Sequence, residues 1–301
     1  MNRSPIALFV YNRPWHTRQT VEALQRNVLA GESDLFIFSD APKQPDAAAG
    51  VTEVRAYLGT IGGFKSVNIL RRGQNMGLAA SISAGVTELC ETYGSAIVME
   101  DDLETSAHFL EYMNAALDRY KNDERVMQIA GHMFVVRLEI EEDALFLPFI
   151  SSWGWATWAR AWRHFDPLAT GYERLLKDAG MRKRFDLGGR YRYFKMLQAQ
   201  QSGKIDSWAI RWYLSVFLRD GLALYPKKAL VRNLGFDGSG VNCAVSDFQQ
   251  SDLDRNFRVV SMPSVIDVSR ACGAVYRAMP VPRVNLSSII RRAKHLLRRG
   301  Q

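Results

Sequence analysis

Four short apolar runs alternate with stretches of helical period across the first 120 residues, and this alternation constrains the fold more than any other feature of the sequence. The runs fall at 6–11, 34–40, 66–70 and 95–99, each of strand length, and the first reads as a buried strand. Between and after them, helices are predicted at 14–29, 46–58, 77–93 and 107–120. Pro14 suits the first turn of the first helix. Leu78, Ile82, Val86 and Leu89 mark one face of the third. Strands that alternate with helices predict an α/β fold, a mostly parallel, Rossmann-like sheet with helices on both faces. Ligands of such sheets bind outside the carboxyl ends of the strands. Three polar clusters stand at those ends: Asn12-Arg13, Ser39-Asp40 and Glu100-Asp101-Asp102. One crevice is expected to collect them.

Beyond residue 125 the pattern changes. A further strand is predicted at 126–130, helices at 171–185, 189–202 and 207–219, and two short strands within 222–232. Residues 233–242 are glycine-rich and read as a loop. Trp155, Trp158 and Trp162 are spaced i, i+3, i+7, one face of a helix, which assigns them to the core. Trp153, just before Gly154, is left as the tryptophan available to a ligand.

The composition, 47% hydrophobic and 23% charged, is that of a globular chain. No apolar run has the length of a membrane span, and the start lacks the basic-then-apolar pattern of a signal peptide. The scattered cysteines Cys90, Cys243 and Cys272 suggest neither a disulfide framework nor a zinc site, and fit a reducing, cytoplasmic setting. The net charge is +8, yet Arg283, Arg291, Arg292, Lys294, Arg298 and Arg299 carry most of it, with no Asp or Glu among residues 283–301. The body is therefore close to neutral, which argues against a nucleic-acid partner.

Three consecutive carboxylates raise one another's pKa, and a bound divalent cation removes that penalty. Oxygen ligands suit magnesium or manganese, and such an ion can bridge diphosphate oxygens. The alternative is an acidic start to the following helix, favoured by its dipole. Arg13 has a surface role as its alternative, Asp40 a cap or turn role, and Asp206 a helix-cap role. Asn75-Met76-Gly77, ahead of the third helix, suits either a phosphate or sugar contact or a plain turn.

The segment Val98-Met99-Glu100-Asp101-Asp102-Leu103-Glu104, with Phe109-Leu110-Glu111-Tyr112 after it, resembles the metal-binding region of the N-acetylglucosaminyltransferase I family and of related bacterial, family 2-like glycosyltransferases of the GT-A fold. The resemblance runs in patches over roughly residues 5–245 and is most specific at 98–112. It implies a metal-dependent, inverting hexosyl- or N-acetylhexosaminyltransferase. Sugar would pass from a UDP-sugar to a hydroxyl of a cell-envelope saccharide or lipid-linked glycan. By the same resemblance Asp102 holds Mn2+ (or Mg2+), Asp101 lies near the donor sugar and ribose, and Glu100 shapes the nucleotide site. Arg13 contacts the nucleotide, Asp40 reads the uracil, and Trp153 lies beside donor and acceptor; Asn75 is assigned to the donor side by its place ahead of the third helix, not by the resemblance. Asp206 takes the place of the catalytic base, although Ser207, not Asp, adjoins Trp208. Asn242 stands where related bacterial sequences often carry His. The implied organisation is a nucleotide-sugar-binding half at 1–132, an acceptor-side half at 133–280 and a basic tail at 281–301. A nucleotidyltransferase is the rival, but it would show a glycine-rich loop where Asn12-Arg13-Pro14 stands. A second rival is a catalytically inactive, sugar-binding relative. A dinucleotide-binding oxidoreductase lacks its Gly-x-Gly-x-x-Gly.

In the tail, Leu286, Ile289, Ile290, Ala293, Leu296 and Leu297 fall on one helical face, with Arg291, Arg292, Lys294, Arg298 and Arg299 on the rest. This pattern predicts an amphipathic helix at 285–300 lying on an anionic membrane surface, the inner face of the cytoplasmic membrane. Each basic residue would add about 1 kcal/mol at low salt. Co-sedimentation with anionic vesicles should capture the full chain and not a chain ending at Pro282; equal partitioning of the two would reject the membrane role.

Overall fold

The structure is a computed structural model that describes residues 3–238, 250 and 252–279. Its first half follows the predicted alternation: β1 (Ile6–Val10), α1 (Pro14–Gln25), β2 (Asp34–Ser39), α2 (Ala48–Leu58), β3 (Ser66–Arg71), α3 (Leu78–Tyr93) and β4 (Ser95–Glu100). A short strand β5 (Leu103–Thr105) precedes α4 (Phe109–Arg119), and then come β6 (Val126–Ala130), β7 (Ala144–Leu147) and β8 (Trp155–Trp158). The helical stretch is α5 (Ala159–Trp162), α6 (Tyr172–Lys177), α7 (Ala179–Phe185), α8 (Tyr193–Gln201) and α9 (Trp208–Phe217). The chain closes with β9 (Leu222–Pro226), β10 (Val231–Asn233) and α10 (Cys272–Ala278).

Eight strands form one sheet in the order β3-β2-β1-β4-β8-β6-β9-β7, and β5 pairs with β10 in a separate ribbon. β3, β2, β1 and β4 are mutually parallel; β8 is antiparallel to β4 and to β6, and β9 is parallel to β6. The carboxyl ends of β1, β2, β3, β4, β6 and β9 therefore share one edge of the sheet. The α/β expectation holds, and the sheet runs without a break from the first half of the chain into the second.

The core lies on both faces of the central strands. β1 is buried along its whole length, and Phe9 stacks on Phe38 of β2 at 4.9 Å between ring centres. Gly85 of α3 packs directly on these two rings, where a side chain would collide with them. A second cluster, including Phe149, Phe185, Leu197, Tyr213 and Tyr225, joins α7, α8 and α9 to β7 and β9.

Several local expectations need correction. Trp155–Trp158 is an extended strand in the middle of the sheet, not the start of a helix, although Trp155, Trp158 and Trp162 are all buried as expected. β8 is buried on both faces, so its residues are large or apolar without regard to period, and Thr157 is accommodated by donating its hydroxyl to the Met127 carbonyl. The predicted helix at 171–185 is two helices, separated at Asp178, whose backbone is extended and whose carboxylate caps α7 by accepting from the Met181 N–H. The helix predicted from 189 begins at Tyr193. Ser207, not Asp206, caps α9. The strands β5 and β7 and the helix α10 were not predicted. Asn242 and the tail at 285–300 lie outside the described residues. Among the described residues no helix is long and apolar enough to cross a membrane.

Candidate functional site

The carboxylate triplet sits where β4 ends, next to the end of β1, and the polar residue that reaches it is Arg13. The guanidinium Nη2 donates to the Asp101 carboxylate and, at 2.9 Å, to Asp102 Oδ2. Both aspartates and Arg13 are largely shielded from solvent. The backbone here is fixed from several sides. Thr20 Oγ1 donates to the Asp101 carbonyl at 2.8 Å and accepts from the Leu103 N–H at 3.0 Å. The Asp102 carbonyl accepts from the Leu234 N–H at 2.7 Å. Arg13 itself precedes α1, and its carbonyl accepts from both the N–H and the hydroxyl of Thr17.

The electrostatics follow from burial. Burial, then the charges of Asp102 and Asp101, push Glu100 up to about 8, against the opposing effect of Arg13 and a hydrogen bond from Trp208. Burial also raises Asp101, opposed chiefly by Arg13. Burial by itself works against the charge on Arg13, and the attraction of Asp101 and then Asp102 outweighs it, so the guanidinium is held above its ordinary value. Three carboxylates thus share one cation.

A single turn, Gly235–Asp237, joins this cluster to its surroundings. The pairing of β10 with β5, Asn233 opposite Leu103, carries the chain directly over Asp102. At Gly235 a side chain would collide with the Asp102 carboxylate, so the close approach requires glycine. The next residue, Phe236, meets Trp153 edge-on at 5.4 Å between ring centres, and Asp237 lies 3.1 Å from His16 Nε2. Trp153 meets His132 edge-on at 4.5 Å. An aromatic wall of His132, Trp153 and Phe236 therefore adjoins the carboxylates.

The other predicted residues among those described are placed away from the carboxylates. Asp40 accepts from the main-chain N–H groups of Ala41, Met76 and Gly77 at 2.9–3.1 Å. Both of its oxygens are engaged in fixing the turn before α3, and Asn75 Nδ2 donates to the Ala41 carbonyl across the same junction at 2.7 Å. Asp206 is exposed, pairs with Arg211 at 2.7 Å, and lines a cleft of about 790 Å3 between α3 and α9. Its chain neighbour Trp208 reaches the triplet through Glu100. The structure thus brings Arg13, Asp101 and Asp102 into direct contact, places Glu100 within their electrostatic reach and joins Trp153 to them through the Gly235–Asp237 turn, with Asp40, Asn75 and Asp206 in separate contacts.

Sequence reasoning marks Gly235 to Asn242 as a loop that resembles a phosphate-side closing loop, but not the contacts of Gly235, Phe236 and Asp237, and it missed His16 and His132. The signal for His132 was present, because Gly131-His132 follows the buried strand β6 just as the triplet follows β4. The contacts of Gly235–Asp237 depend on chain-distant pairing and left no local signature.

Neither a protein-family model nor a curated protein matches the sequence. Solved structures with a partly similar chain path include a mannosyltransferase from Pyrobaculum calidifontis in complex with GDP-Man and Mn2+, at 12% identity over 45% of this chain and 36% of that one, with a TM-score of 0.32. GalNAc-T7 with UDP, GalNAc and Mn2+ matches at 10% identity over 78% of this chain and 45% of that one, with a TM-score of 0.45. TarS from S. aureus matches at 10% identity over 75% of this chain and 36% of that one, with a TM-score of 0.38. The matched regions span less than half the length of each of these proteins.

His132 gives the site a pH signature. Burial moves its pKa down from 6.5 to about 4, opposed by a backbone hydrogen bond at Val231. Between those values the unfolded chain takes up a proton that the folded chain refuses, so stability falls as the pH drops from 6.5 towards 4. Urea unfolding should show His132→Phe losing about 2 kcal/mol less than the parent between pH 7 and pH 5. Parallel losses in the two proteins would contradict a buried neutral His132.

Proposed function

We propose that this chain is a metal-dependent glycosyltransferase of the GT-A type, with a UDP-sugar as donor and a saccharide or glycolipid hydroxyl as acceptor. The observation that carries the reading is the placement of Glu100, Asp101 and Asp102 at the carboxyl end of a central strand, under the Gly235–Asp237 turn and beside the Trp153 wall. Open α/β sheets bind ligands at that edge. The likeness of residues 98–112 to the metal-binding region of these transferases supports the same conclusion from sequence.

The residues fit a magnesium- or manganese-like ion. The donors are carboxylate oxygens, and one guanidinium leaves their charge under-compensated. Among the described residues no three His, Cys, Asp or Glu side chains form a cage. An ion held by one or two carboxylates, with substrate phosphates completing its shell, needs no cage. Asp102 would hold it, and the ion, when bound, would stabilise a departing nucleoside diphosphate.

The other roles belong to the chain itself. Arg13 supplies positive charge to the diphosphate. Asp101 and Glu100 shape the donor side, with Glu100 steadied by Trp208. Asp40 and Asn75 serve the nucleotide by fixing the turn that carries Met76 and Gly77. Trp153 offers an aromatic edge to a sugar face. Asp206, at the mouth of the cleft between α3 and α9, takes the proton of the acceptor hydroxyl as that oxygen attacks the anomeric carbon. Attack from the face opposite the leaving diphosphate inverts the configuration.

Turnover of a nucleotide-sugar panel with manganese, together with calorimetry of UDP, tests the assignment. Asp102→Asn should lose manganese-dependent UDP binding and turnover together. Asp206→Asn should keep UDP binding and lose turnover by about 100-fold or more. Full activity of Asp102→Asn, or of the parent in excess chelator, would reject the metal reading.

A further inference from the structure

The position of Arg13 carries a consequence for how metal and donor bind, one that rests on the glycosyltransferase reading. The same nitrogen, Nη2, serves both Asp101 and Asp102, and it lies against Asp102 Oδ2 at 2.9 Å, on the carboxylate assigned to the metal. The other terminal nitrogen, Nη1, is buried and makes no hydrogen bond in the protein. The guanidinium therefore neutralises the two aspartates while leaving part of its own donor capacity unused. A buried donor without an acceptor is a cost that an incoming anion can remove.

The anchoring of Arg13 confines any change to its side chain. The Arg13 carbonyl is fixed by the N–H and hydroxyl of Thr17, and Pro14 locks the first turn of α1. On the opposite side, Gly235 closes over Asp102 and Thr20 holds the Asp101 carbonyl. The backbone around the carboxylates is thus held by hydrogen bonds on both sides, which leaves the long side chain of Arg13 as the simplest part to turn.

We propose that Arg13 is the resident counter-ion of the Asp101–Asp102 pair, and that divalent cation and donor diphosphate displace it in concert. A cation that arrives alone must take Asp102 from the guanidinium and then sit beside a stranded positive charge. A diphosphate that arrives with it gives the guanidinium a new partner, matched to its planar array of donors. Arg13 thereby couples the two ligands: metal alone binds weakly, and each ligand strengthens the other by the same factor. The arrangement also keeps the aspartates compensated in the free protein, where a pair of buried, unopposed carboxylates would be costly.

Mn2+ binding, followed by electron paramagnetic resonance with and without saturating UDP, tests this directly. In the parent, UDP should raise Mn2+ affinity by at least about 10-fold, a typical size for coupling between sites. Arg13→Gln should bind Mn2+ alone about 10-fold more tightly than the parent, and UDP should then raise that affinity by a smaller factor than it does in the parent, because only the direct phosphate–metal contact is left to couple the two ligands. Its melting temperature should fall in chelator and recover on adding Mn2+ alone, because the ion replaces the lost cation. Where Arg13→Gln does not fold, Arg13→Met removes the charge while keeping an unbranched side chain of similar reach, and it too should bind Mn2+ alone more tightly than the parent. Mn2+ affinity equal to or weaker than that of the parent in the folded variant would overturn the counter-ion role and leave the metal assignment standing. Absence of Mn2+ binding in parent and variant alike, with UDP present, would overturn the metal assignment and this inference with it.

Discussion

Three carboxylates at the end of a buried strand, opposed by one guanidinium, set the terms for the rest of the site. Burial first, and then the charges of Asp102 and Asp101, push Glu100 up to about 8. The arrangement persists because the backbone leaves no alternative. β4 is paired on both sides, with β1 and β8, and delivers the triplet as a fixed unit. Thr20 and Leu234 then hold the carbonyls of Asp101 and Asp102. The electrostatic strain is a consequence of the fold.

The Gly235–Asp237 turn gives the site its walls. One residue reaches Asp102, the next reaches Trp153, and the third reaches His16. Contacts made by three successive residues on three different elements mean that a shift of this turn would be felt at the carboxylates and at the aromatic wall together. The pairing of β5 with β10 positions the turn, so a ribbon of three residue pairs outside the main sheet governs the geometry of its edge.

Much of the fold was legible in the sequence because it rests on local rules. Apolar runs and helical period gave the parallel half of the sheet, and the rule that ligands gather at strand carboxyl ends gave Arg13 and the triplet. Period failed where both faces of an element are buried. Trp155 and Trp158 point to opposite sides of β8, yet Trp155 stacks on Trp208 while Trp158 Nε1 donates to the Leu117 carbonyl. A spacing that imitates a helix face was thus a strand within the core. Partners chosen across the chain were also invisible. Asp40 was visible as a polar residue at a strand end, but not its bonds to Met76 and Gly77, 36 and 37 residues away. Asp206 was visible as a carboxylate ahead of a helix, but not its ion pair with Arg211 or its place in the cleft between α3 and α9.

The central claim is that the carboxyl end of β4 is a metal and diphosphate site. Anomalous diffraction at the manganese edge, from crystals grown with Mn2+ and UDP, addresses it most directly. The account predicts one strong anomalous peak within coordination distance of an Asp102 carboxylate oxygen, with the UDP diphosphate on its far side and Arg13 turned towards the phosphates. Bound UDP with no manganese at Asp102, or a peak at a different set of residues, would contradict it.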